Sequence, residues 1–200
     1  TRLFEPFMQE NAAAGIGSRG TGLGLAIAKS IVDKMGGRLD IWSEEGKGTE
    51  IRVEFSDALK QQMEERAEKA VALMQKGYNC AQAVACAFAE EADTDEKTIF
   101  RIAEGFGSGM GTMQGVCGAL VGAVMLAGLS RSTAHLEHPD SKPQTAALAR
   151  TLMKAFEQEA GAIYCKDLKG VATGKPLLSC HDCVRLACRL AAREVFPEKA

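Results

Sequence analysis

The sequence predicts an α+β chain: a glycine-rich loop, a helix and a β-hairpin, followed by an all-helical bundle. Three observations predict it. Apolar residues alternate with a period of two only in residues 38–43 and 49–55; beyond them they recur at helical spacing. All seven cysteines fall between Cys80 and Cys188, whereas the single tryptophan, Trp42, lies on the other side. Alanine and glycine crowd residues 116–129, which suits helices packed closely on one another. A length of 200 residues allows two small cores. The change in pattern sets the expected modules at 1–57 and 58–200.

Charge excludes some partners. Up to Lys60 there are 8 basic and 9 acidic residues, and after it 16 and 17, so neither module carries a polybasic arm for nucleic acid or an acidic tail. The longest apolar stretch, residues 116–129, is too short to span a membrane and is interrupted by glycines. No signal peptide precedes Leu3, and residue 1 is Thr rather than Met, so the first module is expected to be cut at its start.

In the first module residues 1–21 read as loop. Leu23, Ile27, Ile31, Val32 and Met35 can share one helical face, and Gly36-Gly37 stops that helix through a left-handed cap. Leu39, Ile41 and Ser43 then oppose Arg38, Asp40 and Trp42 in a strand. A turn follows, then a second strand with Ile51, Val53 and Phe55 on one face. The chemistry lies in Gly20, Thr21, Gly22, Leu23 and Gly24. Closely spaced glycines let backbone N–H groups turn toward an anion, and a helix start adds its favourable dipole. Arg19 or Lys29 would add positive charge. The same glycines would also serve a helix start that binds nothing.

The second module reads as about six helices. Met63, Ala67, Ala70, Val71 and Met74 form a stripe ending before Gly77. Asn79 caps the next helix, with Gln82 completing a capping box, and that helix is expected to reach Glu91. Thr94 or Asp95 caps a short helix through Glu104. Residues 105–111, with four glycines, read as a flexible or closely packed loop. Helices are expected over 116–129, over 144–160 with Leu148, Leu152, Phe156 and Ala160 inward, and over 180–195 capped by Ser179.

Cysteine position carries the functional reading. Cys80, Cys117 and Cys180 fall at helix N-termini, where the dipole favours a thiolate, and Cys165 lies in a loop after a helix. These four could form two redox disulfides, ligate a metal or hold an iron–sulfur cluster. Cys180 and Cys183 also form a CxxC pair, though not in a thioredoxin-like strand–helix setting. Cys86 and Cys188, inside helices among small apolar residues, read as inert core.

Two resemblances sharpen this. Leu3-Phe4-Glu5-Pro6-Phe7, Gly20-Thr21-Gly22-Leu23-Gly24-Leu25 and Gly46-Lys47-Gly48-Thr49, in that order, resemble the C-terminal part of the GHKL ATP-binding domain of sensor histidine kinases. Over residues 2–56 this implies a truncated two-layer α/β ATPase sandwich, with the second motif against the phosphates of ATP. The magnesium-binding asparagine helix, the first Asp-x-Gly box and the dimerisation helix with its phosphoacceptor histidine would all lie upstream. The resemblance implies a homodimeric, cytoplasmic parent that uses ATP with Mg and serves a response regulator; this chain alone is not expected to be kinase-active.

The second resemblance rests on Gly77-Tyr78-Asn79-Cys80-Ala81-Gln82-Ala83, Gly105-Phe106-Gly107-Ser108-Gly109-Met110-Gly111, Cys117-Gly118-Ala119-Leu120-Val121-Gly122, Cys165-Lys166-Asp167-Leu168 and Cys180. Together they resemble the C_GCAxxG_C_C family, which implies a helical domain with four functional cysteines, a proposed redox role and a thiol redox partner. Cys86, Cys183 and Cys188 are extra to that four-cysteine pattern. The combined expectation is a histidine-kinase-like signalling protein joined to a cysteine-based redox or metal sensor. The alternative is a redox-active or metal-binding helical protein carrying a non-functional kinase remnant; a bundle that only mediates dimerisation is the third.

Overall fold

The computed structural model describes residues 24–34, 37–44, 46–55 and 57–197. The chain forms two compact units, residues 1–59 and 60–200. In the first, helix α1 (Gly24–Lys34) precedes the hairpin strands β1 (Gly37–Glu44) and β2 (Gly48–Phe55). The strands pair antiparallel with Leu39 opposite Val53 and Ile41 opposite Ile51, so the period-two pattern fixes the register. On the other face the Arg52 guanidinium lies 5.1 Å from the Trp42 ring centroid. Val32 and Leu39 are buried, whereas Ile27 and Ile31 are half exposed. Leu23, Met35 and Gly36 lie outside the described residues, as do residues 1–22.

The second unit is helical throughout: α2 (Asp57–Gln75), α3 (Cys80–Ala87), α4 (Glu96–Ala103), the short α5 (Gly107–Met110), α6 (Gly118–Arg131), α7 (Lys142–Ala160), the short α8 (Cys165–Leu168) and α9 (Cys180–Leu190). A π-helical turn, Ala191–Val195, prolongs α9. The core is built largely of alanine, with Val84, Phe88, Ile99, Leu120, Leu126, Leu152, Phe156, Val184 and Leu190 filling it. The capping box at α3 forms as expected: Asn79 Oδ1 accepts from the N–H groups of Ala81 and Gln82, and Gln82 Oε1 accepts from Asn79 N–H at 2.9 Å. Asp95 caps α4 and Ser179 caps α9.

Two helices differ from expectation. Helix α3 ends at Ala87 instead of reaching Glu91, because Phe88 leaves helical geometry and turns fully inward. Helix α7 starts earlier, at Lys142, with Pro143 in its first turn, where a missing N–H costs nothing. The glycine-rich stretch 105–111 takes the closely packed of the two forms expected, as a tightly wound segment. After a 3-10 turn at Glu104–Phe106 it enters a left-handed turn, with φ of 50° at Ser108, 58° at Gly109, 60° at Met110 and 74° at Gly111.

Helix α9 is tied to α2 on its outer side by Arg189, which grips Glu64 with two 2.8 Å bonds, and by Arg185 to Glu68 at 2.8 Å. Surface pairs of this kind contribute about 1 kcal/mol or less, so the buried face of α9 does most of the holding.

Helices α3 and α6 touch backbone to backbone. A Cβ placed on Gly122 would sit 2.8 Å from the Ala81 carbonyl oxygen, whereas one on Gly128 would meet nothing within 4 Å. Gly122→Ala is therefore expected to destabilise the chain by about 1–3 kcal/mol through overpacking. Gly128→Ala is expected to stabilise it by about 0.5–1 kcal/mol through helix propensity. Urea unfolding followed by far-UV circular dichroism checks both, since the only tryptophan reports on the other unit; equal effects would refute the close approach.

Candidate functional site: a cavity lined by five thiols

The site begins with two short segments drawn together by main-chain bonds. Cys117 N–H donates to Ile163 C=O at 2.8 Å, Cys165 N–H to Gly115 C=O at 3.0 Å and Lys166 N–H to Met113 C=O at 2.8 Å. This narrow ladder sets Cys117, the N-cap of α6, beside Cys165, the first residue of α8. Cys165 thus opens a helical turn and does not sit in the expected loop. The left-handed turn closes one side: Gly111 N–H returns to Gly107 C=O at 2.8 Å, and Gly115 N–H to Gly109 C=O at 3.2 Å.

Glycine at two positions is what admits the sulfurs. A Cβ on Gly118 would stand 2.5 Å from Cys80 Sγ, and one on Gly109 would stand 2.7 Å from Cys165 Cβ. Gly109 is also left-handed, a conformation L side chains rarely adopt. The sequence placed Cys180 first in α9; the i, i+3 spacing of one helix face then carries Cys183 toward the same point.

Cys80, Cys117, Cys165, Cys180 and Cys183 line one cavity, with about 30 Å³ of room for the centre of a water-sized molecule. Ser108, Lys169 and the apolar Leu168 and Leu178 complete its wall. Larger grooves, one near Arg66 and Phe88 and one near Leu129 and Arg131, contain no thiol. All seven cysteines are free thiols; Cys117, Cys165 and Cys183 are buried in the cavity wall, while Cys80 and Cys180 are partly exposed.

The five are not electrostatically equivalent. The Cys183 thiol donates to the Cys117 sulfur, which overcomes the opposing effect of burial, and the backbone N–H groups of Leu120 and Ala119 with the charge of Lys169 add to it, bringing Cys117 down to about 7. Its partner Cys183 is correspondingly driven up, held in the thiol form by that bond, by burial and by the Cys117 charge. Burial also raises Cys165 and Cys80, although the Ser108 backbone donates to Cys80. Cys80 also stands at a helix start, and burial has the largest effect on it.

Cys183, left out of the expected set, lines the same cavity as Cys117. The signal was present in the CxxC spacing but was outweighed by the four-cysteine pattern. Cys86 and Cys188 lie in the core away from the cavity; burial lifts Cys86 to about 11 and drives Cys188 up as well.

Among the described residues no group of three or more His, Cys, Asp or Glu side chains is arranged to hold a metal ion. The five thiols share a cavity wall without forming such a group. In the first unit Gly20, Thr21, Gly22 and Leu23 lie outside the described residues; Gly24 opens α1, with open space where a Cβ would stand. Lys29, expected to face phosphate, forms an ion pair with Asp33 one turn further on. No helix among the described residues is long and apolar enough to cross a membrane.

Comparison with known proteins agrees with the two-part architecture. A family model described as "Putative redox-active protein (C_GCAxxG_C_C)" matches residues 78–194, more than half of the chain, and the chain belongs to that family. A second model, "Histidine kinase-, DNA gyrase B-, and HSP90-like ATPase", matches residues 1–59. Curated relatives include the sensor protein SrrB of Staphylococcus aureus strains NCTC 8325, COL and N315. Each is 48% identical over 48 residues, 24% of this chain and 8% of the relative. The chain thus spans under a tenth of the length of these relatives. No solved structure matches it.

The Cys117 thiolate fraction should rise through about pH 7, roughly two units before an ordinary thiol, because ionisation is complete only above the lowered value. Ultraviolet thiolate absorbance, taken as the difference between wild type and Cys117→Ser, is expected to be half-maximal near pH 7. Iodoacetamide should leave the buried Cys86 and Cys188 unmodified until the protein unfolds. Removing the donor with Cys183→Ala should move the Cys117 midpoint upward; an unmoved midpoint would refute the sulfur–sulfur hydrogen bond.

Proposed function

We propose that this chain carries a thiol redox module joined to a histidine-kinase-type ATP-binding segment, so that the state of a few cysteines modulates a signalling ATPase. The observation that carries the redox part is the gathering of five thiols in one cavity around a single sulfur poised to ionise near neutral pH. A buried thiolate beside protonated thiols is chemically set for two-electron oxidation: the thiolate is the nucleophile, and a neighbouring thiol closes a disulfide upon it. In this reading Cys117 attacks, and Cys80, Cys165 and Cys180 are the remaining redox cysteines of the family pattern. An external thiol partner would meet the module at the partly exposed Cys80 and Cys180.

The signalling part is supported by the ATPase family match over residues 1–59 and by the 48% identity to a sensor protein. Gly20, Thr21, Gly22, Leu23 and Gly24 would cradle the phosphates of ATP, whose magnesium would be held by residues of the intact protein outside this chain. Phosphoryl transfer to a histidine elsewhere, homodimerisation and a response-regulator partner belong to that same reading.

The full chain, oxidised mildly and then treated with dithiothreitol, is expected to lose two titratable thiols and regain both, and Cys117→Ser should abolish the loss. Unchanged thiol content in the wild type would overturn the redox reading. For the ATP segment, Gly22→Ala combined with Gly24→Ala in the intact kinase is expected to weaken ATP binding by roughly tenfold or more, since the added Cβ groups hold phosphate away from the backbone. Calorimetric titration with ATP checks this; equal affinity would remove the glycine box from the site.

A further inference from the structure

Two of the five cavity thiols are set by one turn of a single helix. Cys180 is the first residue of α9, Cys183 lies one turn on, and both line the cavity. The rise and radius of an α-helix put Cα atoms three residues apart at about 5 Å, inside the span of roughly 4.4–6.8 Å that a disulfide bridges. That turn is held in place: Cys183 N–H donates to Ser179 C=O at 2.9 Å, and Ser179 Oγ accepts from Asp182 N–H at 3.1 Å. Every other pairing in the cavity has to be made across elements. Cys117 and Cys165 stand diagonally on the ladder in which Val116 faces Tyr164, about 7–8 Å apart by strand geometry.

Exposure divides the helical pair into an outer and an inner sulfur. Cys183 is 3% exposed, whereas Cys180 is partly exposed and Ser179, His181 and Asp182 around it are open to solvent. Cys80 is partly exposed too, but it follows the half-buried Asn79 and precedes the buried Ala81, and its Sγ fills the space beside Gly118. Cys117 is 6% exposed, so a disulfide in solution cannot reach it. Exchange with such a disulfide therefore begins at Cys180.

We propose that Cys180 and Cys183 are an exchange pair for small-molecule disulfides, in which Cys180 takes the disulfide and Cys183 resolves it. This rests on the thiol redox reading, chooses between its two outer cysteines, and adds a route that does not pass through Cys117.

The steps balance. Cys180 loses its proton to solvent and attacks one sulfur of the disulfide; that S–S bond breaks, a mixed disulfide forms, and the first small thiol leaves with a proton. Cys183 then loses its proton and attacks Cys180 Sγ. The mixed disulfide breaks, the Cys180–Cys183 bond forms, and the second small thiol leaves with a proton. The two cysteines lose two electrons and the small disulfide gains them; an excess of small thiol runs both steps backwards.

The test uses the reduced full chain with an excess of glutathione disulfide. The wild type is expected to lose two thiols and release two glutathiones per chain. Both cysteines lie between Lys169 and Arg185, so the bond shows as the loss of both alkylation sites from one tryptic peptide. In Cys183→Ser, one glutathionyl group should stay on Cys180 until dithiothreitol removes it. Cys180→Ser should react at least ~10-fold more slowly, and Cys117→Ser should react like the wild type. Unchanged far-UV circular dichroism checks that each variant keeps the fold.

A bond from Cys180 to Cys80, Cys117 or Cys165 would overturn the pair while leaving the redox reading intact. So would a wild type inert to glutathione disulfide that still loses two thiols on mild oxidation through Cys117. Loss of the exchange in Cys117→Ser would overturn the entry at Cys180. No thiol loss with any oxidant would overturn the redox reading and this inference together.

Discussion

Five sulfurs share one small cavity because the backbone comes closer to them than any side chain would permit. Gly118 leaves the space that Cys80 Sγ fills, and Gly109 lets the left-handed turn press against Cys165. Gly122 brings α6 against the main chain of α3, the helix that carries Cys80. Replace any of these hydrogens by a methyl group and a cysteine or its helix must retreat. The left-handed run from Ser108 to Gly111 follows from the same constraint. It includes the non-glycine residues Ser108 and Met110, and strain of this kind persists only where surrounding contacts over-determine it. Here the determinants are visible: the main-chain bonds to Gly107, Gly109 and Gly115 on one side, and the Asn79 cap on the other, where Asn79 Nδ2 also donates to Glu104 C=O at 2.9 Å.

Much of this was legible from residues alone. The Asn79–Gln82 box, the Asp95 and Ser179 caps, the hairpin register and the inward stripe of α7 each rest on local rules of spacing and hydrogen bonding that tertiary structure did not override. The family pattern also named four of the five cavity cysteines. What stayed hidden depends on contacts distant in sequence. Cys183 joins the site only because α9 is rotated to bury that face beside α6, a fact that CxxC spacing allows without requiring. The wound geometry of residues 105–111 is invisible to periodicity, since glycine permits either hand and only Gly115 and Asn79 decide which is used. Ile27 and Ile31, on the apolar stripe of α1, are half exposed. Periodicity reports which residues share a face, and what covers that face comes from elsewhere.

Cys117 and Cys80 both stand at helix starts, yet the cavity lowers the first thiol and raises the second. Both occupy helix starts, so their dipole contributions are similar. Both are also largely desolvated, which penalises a thiolate in each. What Cys117 has in addition is a thiol donor in Cys183, two backbone N–H groups from its own first turn, and Lys169 across the cavity.

In so small a space each anion raises the cost of the next: burial and then the Cys117 charge raise Cys165, and the bond to Cys117, burial and that charge raise Cys183. Ionisation of Cys117 therefore favours the neutral thiol at Cys165 and Cys183. A nucleophile and a proton-bearing partner in contact are the two states that disulfide formation needs. The asymmetry comes from crowding identical groups where only one can be charged, and the hydrogen bonds decide which.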